Sequence, residues 1–177
     1  LRRTFTDALP AARRDLALAR WGAHAPRLFA ALRSTYGDAP ALDDALHMLV
    51  SGMATCTDAR TDALRALDLA RERDPHWFLA ADMLGYSTYV DRFGGSLRGV
   101  ADRVPYLHRL GVRYLHLLPF LCPRDGDSDG GFAVRDYDRV DPALGDDANL
   151  DALTAQLRDA GISLCADLVL NHTADDH

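Results

Sequence analysis

Two short joints constrain this chain more than any other feature: Leu110-Gly111-Val112 and Ala160-Gly161-Ile162 each set a glycine between a helical stretch and an apolar one. Glycine just past a helix's last turn takes the left-handed conformation that closes the helix, and the apolar run behind it starts a strand. Residues 85–90, rich in β-branched and aromatic side chains, read as a first strand, residues 112–118 as a second and the run from Leu164 as a third, the three ending at Asp91, Pro119 and Asn171-His172. Between the first two, Ser96 caps a helix carrying Leu97, Val100, Val104, Leu107 and Leu110, with a kink or break expected at Pro105. A helix over about residues 148–159, with Leu150, Leu153 and Leu157 inward, precedes the third strand. Strand, helix, strand, helix, strand predicts an α/β parallel sheet with right-handed crossovers and functional residues at the C-terminal ends of its strands. Three such strands with helices on one side leave apolar surface uncovered, so the pattern reads as a piece of something larger.

The third strand holds the chemistry. It is a near-continuous apolar run interrupted by Asp167 and closed by Asn171 and His172. Runs of this kind mark strands covered on both faces, so a carboxylate inside one needs a partner. Period two puts Asp167 and Asn171 on one face and His172 on the other, unless the chain turns as the strand ends. Asp167 and Asn171 are therefore read as structural hydrogen-bond partners near the site, and mid-strand His116 as a satisfied interior histidine.

Ahead of residue 80 the punctuation is helical. Residues 10–20 before Gly22 and 26–36 before Gly37 read as two short helices, each with Pro early and Gly late. Asp38 and Pro40 open a third, carrying Leu42, Leu46, Leu49, Val50 and Met53, and a fourth runs from about 58 to 73, stopped by Asp74-Pro75. The expected organisation is an all-helical domain over residues 1–80 and an α/β part over residues 81–177.

Composition narrows the function. All 20 basic residues are scattered arginines in a chain of net charge −6, which excludes lysine-dependent chemistry and a nucleic-acid partner. Glu72 is the single glutamate and sits in a solvated charged run, so no general-acid glutamate stands near the third strand. Cys56, Cys122 and Cys165, odd in number and without metal-ligand spacing, are read as free thiols, which favours a reducing, cytoplasmic compartment. No apolar run reaches the length of a membrane span, so no membrane partner is expected.

The loop after the second strand admits two readings. Asp125-Gly126-Asp127-Ser128-Asp129-Gly130 matches calcium-loop spacing, but Asp136 stands where the loop needs a bidentate glutamate, and Pro119, Pro123 and Pro142 deny it flanking helices. A solvated Asp/Gly turn is the plainer alternative. A calcium-binding module built on residues 125–136, or a non-catalytic helical interaction domain, would be the corresponding functions.

From about residue 84 onward the chain resembles the α-amylase superfamily, and within it the amylosucrases and sucrose hydrolases. The likeness lies in Gly85-Tyr-Ser-Thr-Tyr-Val-Asp-Arg-Phe93, Val104-Pro-Tyr-Leu107, Tyr114-Leu-His-Leu-Leu-Pro119, Ser128-Asp-Gly-Gly-Phe-Ala-Val134, Val140-Asp-Pro-Ala-Leu-Gly145 and Asp167-Leu-Val-Leu-Asn-His-Thr173. The helices before it resemble the family's all-helical N-terminal domain in character and position alone. The resemblance implies the first three strands of a (β/α)8 (TIM) barrel. It also implies that Asp129 holds glucosyl hydroxyls, that Phe132 is an aromatic platform under the sugar, and that His172 contacts the reacting sugar as a transition-state stabiliser. Asn171 matches a calcium ligand of many α-amylases, but the sucrose-splitting branch generally lacks that ion, so neither metal nor cofactor is expected. The expected partners are sucrose and an α-glucan acceptor. The nucleophilic aspartate and the acid glutamate belong on later strands, so these 177 residues alone are expected not to turn over sucrose. Phenylalanine at 132, where amylosucrases usually carry tyrosine, tilts the expectation toward hydrolysis.

Overall fold

The computed structural model describes residues 1–37, 39–127 and 129–177, which gather into two compact units, Leu1–Asp74 and Pro75–His177. The first is all helix: α1 (Arg2–Asp7), α2 (Ala11–Tyr36), α3 (Leu42–Ala59) and α4 (Asp62–Arg73). Where two helices were expected, α2 runs unbroken through Gly22 and Pro26. Proline at 26 withholds one ladder bond, the one its own N–H would give to the Gly22 carbonyl, and the Ala- and Leu-rich turns on either side carry the helix across. Asp38, expected to open the third helix, lies outside the described residues. Helix α3 buries Leu46, Val50 and Ala54 along one stripe, and Val50 and Ala54 pack with Phe5, Leu9 and Ala17. Helix α4 begins later than expected because Thr61 caps it, its side chain accepting the Leu64 N–H, and it ends at Asp74 before Pro75. Among the described residues no helix is long and apolar enough to cross a membrane.

The second unit runs β1 (Leu84–Thr88), α5 (Val90–Gly94), α6 (Leu97–Asp102), α7 (Val104–Leu110), β2 (Val112–Leu117), β3 (Leu121–Pro123), β4 (Val134–Val140), α8 (Asp147–Asp159) and β5 (Ser163–Ala166). Strands β1, β2 and β5 form the expected parallel sheet, with β2 in the centre. The expected break falls at Arg103, so that Pro105 sits in the first turn of α7, where no N–H is required. Gly111 (φ 85°) and Gly161 (φ 70°) take the left-handed conformation that the two joints demand. Leu115 and Leu117 of β2 are fully buried in one cluster with Leu97, Val100 and Leu107 and with Leu153 and Leu157 of α8.

Ser96 caps α6 by accepting the Gly99 N–H at 3.1 Å. Ser96→Ala is expected to cost about 1 kcal/mol, read as a lower urea midpoint at unchanged slope. Nearby, Gly94 and Gly99 bring the backbones of α5 and α6 into contact: a Cβ on Gly99 would lie 1.9 Å from the Gly94 carbonyl oxygen.

Two expectations are corrected at the sheet. The third strand is four residues long and ends at Ala166, not at Asn171-His172, and as an edge strand it is only half-buried. Past it, the Asp167 N–H still reaches the Leu117 carbonyl (3.1 Å), but Leu168 and Leu170 are 55% and 76% exposed. The uncovered face of the sheet is also not apolar. Ser87, His116 and Cys165 stand side by side across it by register, with Ser87 Oγ 3.0 Å from His116 Nδ1. His116 is thus a satisfied histidine, as read from sequence. All three cysteines are free.

Candidate functional site

The segment after β2 folds back on itself as an antiparallel hairpin, β3 with β4, pairing Leu121 with Val140 and Pro123 with Val134. Its tip carries Asp129, Gly130, Gly131 and Phe132. The Asp129 Oδ1 accepts the N–H groups of Phe132 (2.9 Å) and Ala133 (3.1 Å), which sets the direction of the carboxylate. Gly130 (φ 91°) and Gly131 (φ 86°) turn the chain through the left-handed region. A Cβ on Gly131 would come within 3.3 Å of Pro119, and one on Gly130 within 3.3 Å of the Tyr89 hydroxyl, so the tip lies directly over the ends of β1 and β2. Beneath it is a depression of about 440 Å³ bordered by Tyr89, Asp91, Arg92, Pro119, Gly130 and Gly131. The first strand, expected to end at Asp91, stops at Thr88, and Asp91 lies in α5; the sequence reading assigned neither Tyr89 nor Arg92 to a site, because nothing in their spacing signals it.

The segment bearing His172 is fastened to the same hairpin by backbone groups. The Ala174 N–H donates to the Val134 carbonyl (2.9 Å). The Tyr137 hydroxyl lies 2.6 Å from the Val169 carbonyl oxygen and 3.3 Å from that of His172. His177 Nδ1 lies 2.6 Å from the Arg135 carbonyl oxygen. Arg135 itself bonds the Cys122 sulfur (3.4 Å) and pairs with Asp125 (2.6 Å). The sulfur, and then the carboxylate, raise its pKa, so it remains a guanidinium. Asp129, Phe132 and the His172 backbone therefore gather at the C-terminal end of the sheet. The side chains of Asp129 and His172 share no hydrogen bond among the described residues, and the His172 imidazole is exposed.

Asp167 and Asn171 are not the buried pair expected. Asp167 is half-buried, Asn171 is exposed, and no hydrogen bond joins them among the described residues. The premise fails because the chain leaves the sheet at Ala166, so period two no longer relates these positions. Three of the four carboxylates in the calcium-loop spacing are likewise otherwise engaged. Asp125 pairs with Arg135, Asp129 holds two amides, and Asp136 accepts the Asp138 N–H. Ser128, inside that spacing, lies outside the described residues; among the described residues no three His, Cys, Asp or Glu side chains gather to hold a metal ion.

The family model described as alpha amylase, catalytic domain, matches residues 50–177. The chain belongs to the α-amylase family. Its second unit is a partial (β/α)8 barrel, the fold expected from the joints and the resemblance. The oligo-1,6-glucosidase of Heyndrickxia coagulans is 37% identical over 93 residues, covering 52% of this chain and 16% of that enzyme. The trehalose-6-phosphate hydrolase of Escherichia coli K12 is 34% identical over 110 residues, covering 58% and 19%. Among solved structures, a variant of the trehalulose synthase MutB in complex with its substrate sucrose superposes with a TM-score of 0.51 at 27% identity, covering 58% of this chain and 19% of that one. The chain thus spans less than a fifth of the length of each of these relatives.

Proposed function

We propose that this chain is the N-terminal part of a retaining α-glucoside-cleaving enzyme whose substrate is sucrose, in the amylosucrase and sucrose-hydrolase branch of the family. The observation that carries the reading is the Asp129-Gly130-Gly131-Phe132 tip, lying over Tyr89 and Pro119 at the strand ends with its carboxylate oriented by two backbone amides. A fixed carboxylate accepts hydroxyl hydrogen bonds from a sugar, and an aromatic face packs on the C–H surface of a pyranose ring. The likeness to a sucrose-bound trehalulose synthase supports the choice of substrate. In this reading Asp129 and Phe132 hold the glucosyl ring and His172 donates a hydrogen bond to it. The nucleophile and acid come from other parts of the enzyme, close together across the scissile bond as retaining chemistry requires. Phe132 lacks the hydroxyl of a tyrosine platform, which favours water over a growing glucan as acceptor.

The intact protein is therefore expected to release fructose from sucrose and to leave mostly soluble glucose, with little insoluble glucan. Chromatography of the products from sucrose, isomaltose and trehalose checks both points. Cleavage of isomaltose or trehalose with none of sucrose would move the protein to another branch, and glucan as the main product would remove the weight placed on Phe132.

A further inference from the structure

We propose that Tyr137 is the positioning residue of this site: its hydroxyl, held against the Val169 and His172 carbonyl oxygens, sets where the His172 imidazole stands. The proposal deepens the glucosyl-pocket reading and rests on it for the role of His172. After Ala166 the chain has left the sheet, and two of the next four side chains, Leu168 and Leu170, point into solvent. Pairing with β2 reaches no further than the Asp167 N–H, and the next backbone tie is the Ala174 N–H on the Val134 carbonyl, so between them the path rests on buried Val169 and on the Tyr137 hydroxyl. The imidazole is exposed and makes no hydrogen bond among the described residues, so its place is inherited from its own backbone.

That backbone is held from β4. A phenol has one proton to donate, and the shorter contact, 2.6 Å to the Val169 carbonyl, is the principal one, with the His172 carbonyl at 3.3 Å on the same oxygen. Two carbonyls three residues apart are thereby curled around a single atom. Tyr137 is in turn kept in place: its ring meets His177 edge-on at 5.6 Å, and His177 Nδ1 returns to the Arg135 carbonyl, two residues back on β4. Val169 is only 7% exposed, so its carbonyl has little access to water when the hydroxyl is removed. The segment must then shift to satisfy it, carrying His172 along. A misplacement of about 1 Å at a reacting group costs on the order of a hundredfold in rate.

The test is Tyr137→Phe in the intact protein, which keeps the ring against His177 and deletes the hydroxyl. The expected result is a kcat on sucrose lower by roughly tenfold to a hundredfold, with KM changed far less. In the His172→Ala background the same substitution is expected to change kcat by less than about twofold, because the two residues act through one group. Hydrogen exchange read by mass spectrometry is expected to quicken about fivefold across residues 169–174 and to stay unchanged across the core around Leu115 and Leu117. Unaltered exchange in that segment, or kcat losses that simply multiply, would overturn the proposal. Should the intact protein cleave no α-glucoside, the glucosyl-pocket reading fails while the exchange result still decides the clamp. Should Tyr137→Phe not fold, His177→Ala removes both the edge contact on the ring and the bond to the Arg135 carbonyl: faster exchange across residues 169–174 supports the clamp, and unchanged exchange overturns it.

Discussion

Replacing His172 by alanine in the intact enzyme is expected to lower kcat on sucrose a hundredfold to a thousandfold while changing KM far less. As the glucosyl ring flattens toward an oxocarbenium-like state its hydroxyls shift, and a hydrogen bond to them strengthens between bound substrate and transition state. Loss of one preorganised donor of this kind costs about 2.7 to 4 kcal/mol. The surroundings make the experiment clean. The imidazole is exposed and makes no hydrogen bond among the described residues, so its removal is expected to alter stability by less than about 0.5 kcal/mol. Steady-state kinetics, normalised to folded protein by circular dichroism, read the effect. An unchanged kcat would make His172 part of the scaffold.

The second large effect is on stability. Gly99→Ala puts a methyl carbon 1.9 Å from the Gly94 carbonyl oxygen and 2.8 Å from its carbon, and Gly94→Ala would meet the Val100 nitrogen at 2.3 Å. Neither glycine has a positive φ, so the conflict is purely one of space. The obstacle is backbone and has no rotamer to move into. Helices α5 and α6 must separate, and α6 carries Leu97 and Val100, both fully buried, into the core of the second unit. Overpacking usually costs about 1 to 3 kcal/mol, and backbone against backbone belongs at the upper end, about 3 kcal/mol. Alanine's better helix propensity, worth about 1 kcal/mol in a helix interior, offsets only part of this. A urea midpoint for Gly99→Ala equal to that of the parent would refute the close approach.

What the sequence made legible was local chemistry. Gly111 and Gly161, the Ser96 cap, the break before Pro105 and the stop at Asp74-Pro75 each depend on a few neighbouring residues, and each is found where expected. Gly22 and Pro26 misled because helix continuity across a proline depends on the turns beyond it. Residues 164–173 misled for a different reason. Apolar character shows that a segment can pair and says nothing of where it stops; past Ala166 the chain meets a long-range partner instead, the Tyr137 hydroxyl, 32 residues from Val169. The β3–β4 hairpin was hidden by a three-residue strand ending in proline and by the charged side chains of Arg135, Asp136, Asp138 and Arg139. Of the candidate site, Asp129, Phe132 and His172 were named through motif resemblance. Tyr137 carries no such signal, being one tyrosine among charges, and its role exists only once the chain has folded.

Ser87, His116 and Cys165, aligned across the uncovered side of the sheet, also bear on how such a protein is made. During synthesis these strands leave the ribosome ahead of whatever follows them, and a nascent sheet displaying leucine and isoleucine on that side would adhere to its neighbours. A hydroxyl, an imidazole and a thiol keep it wettable while it waits. Polar side chains on the face that lines a barrel's interior leave an unfinished sheet less apolar surface to expose to its neighbours.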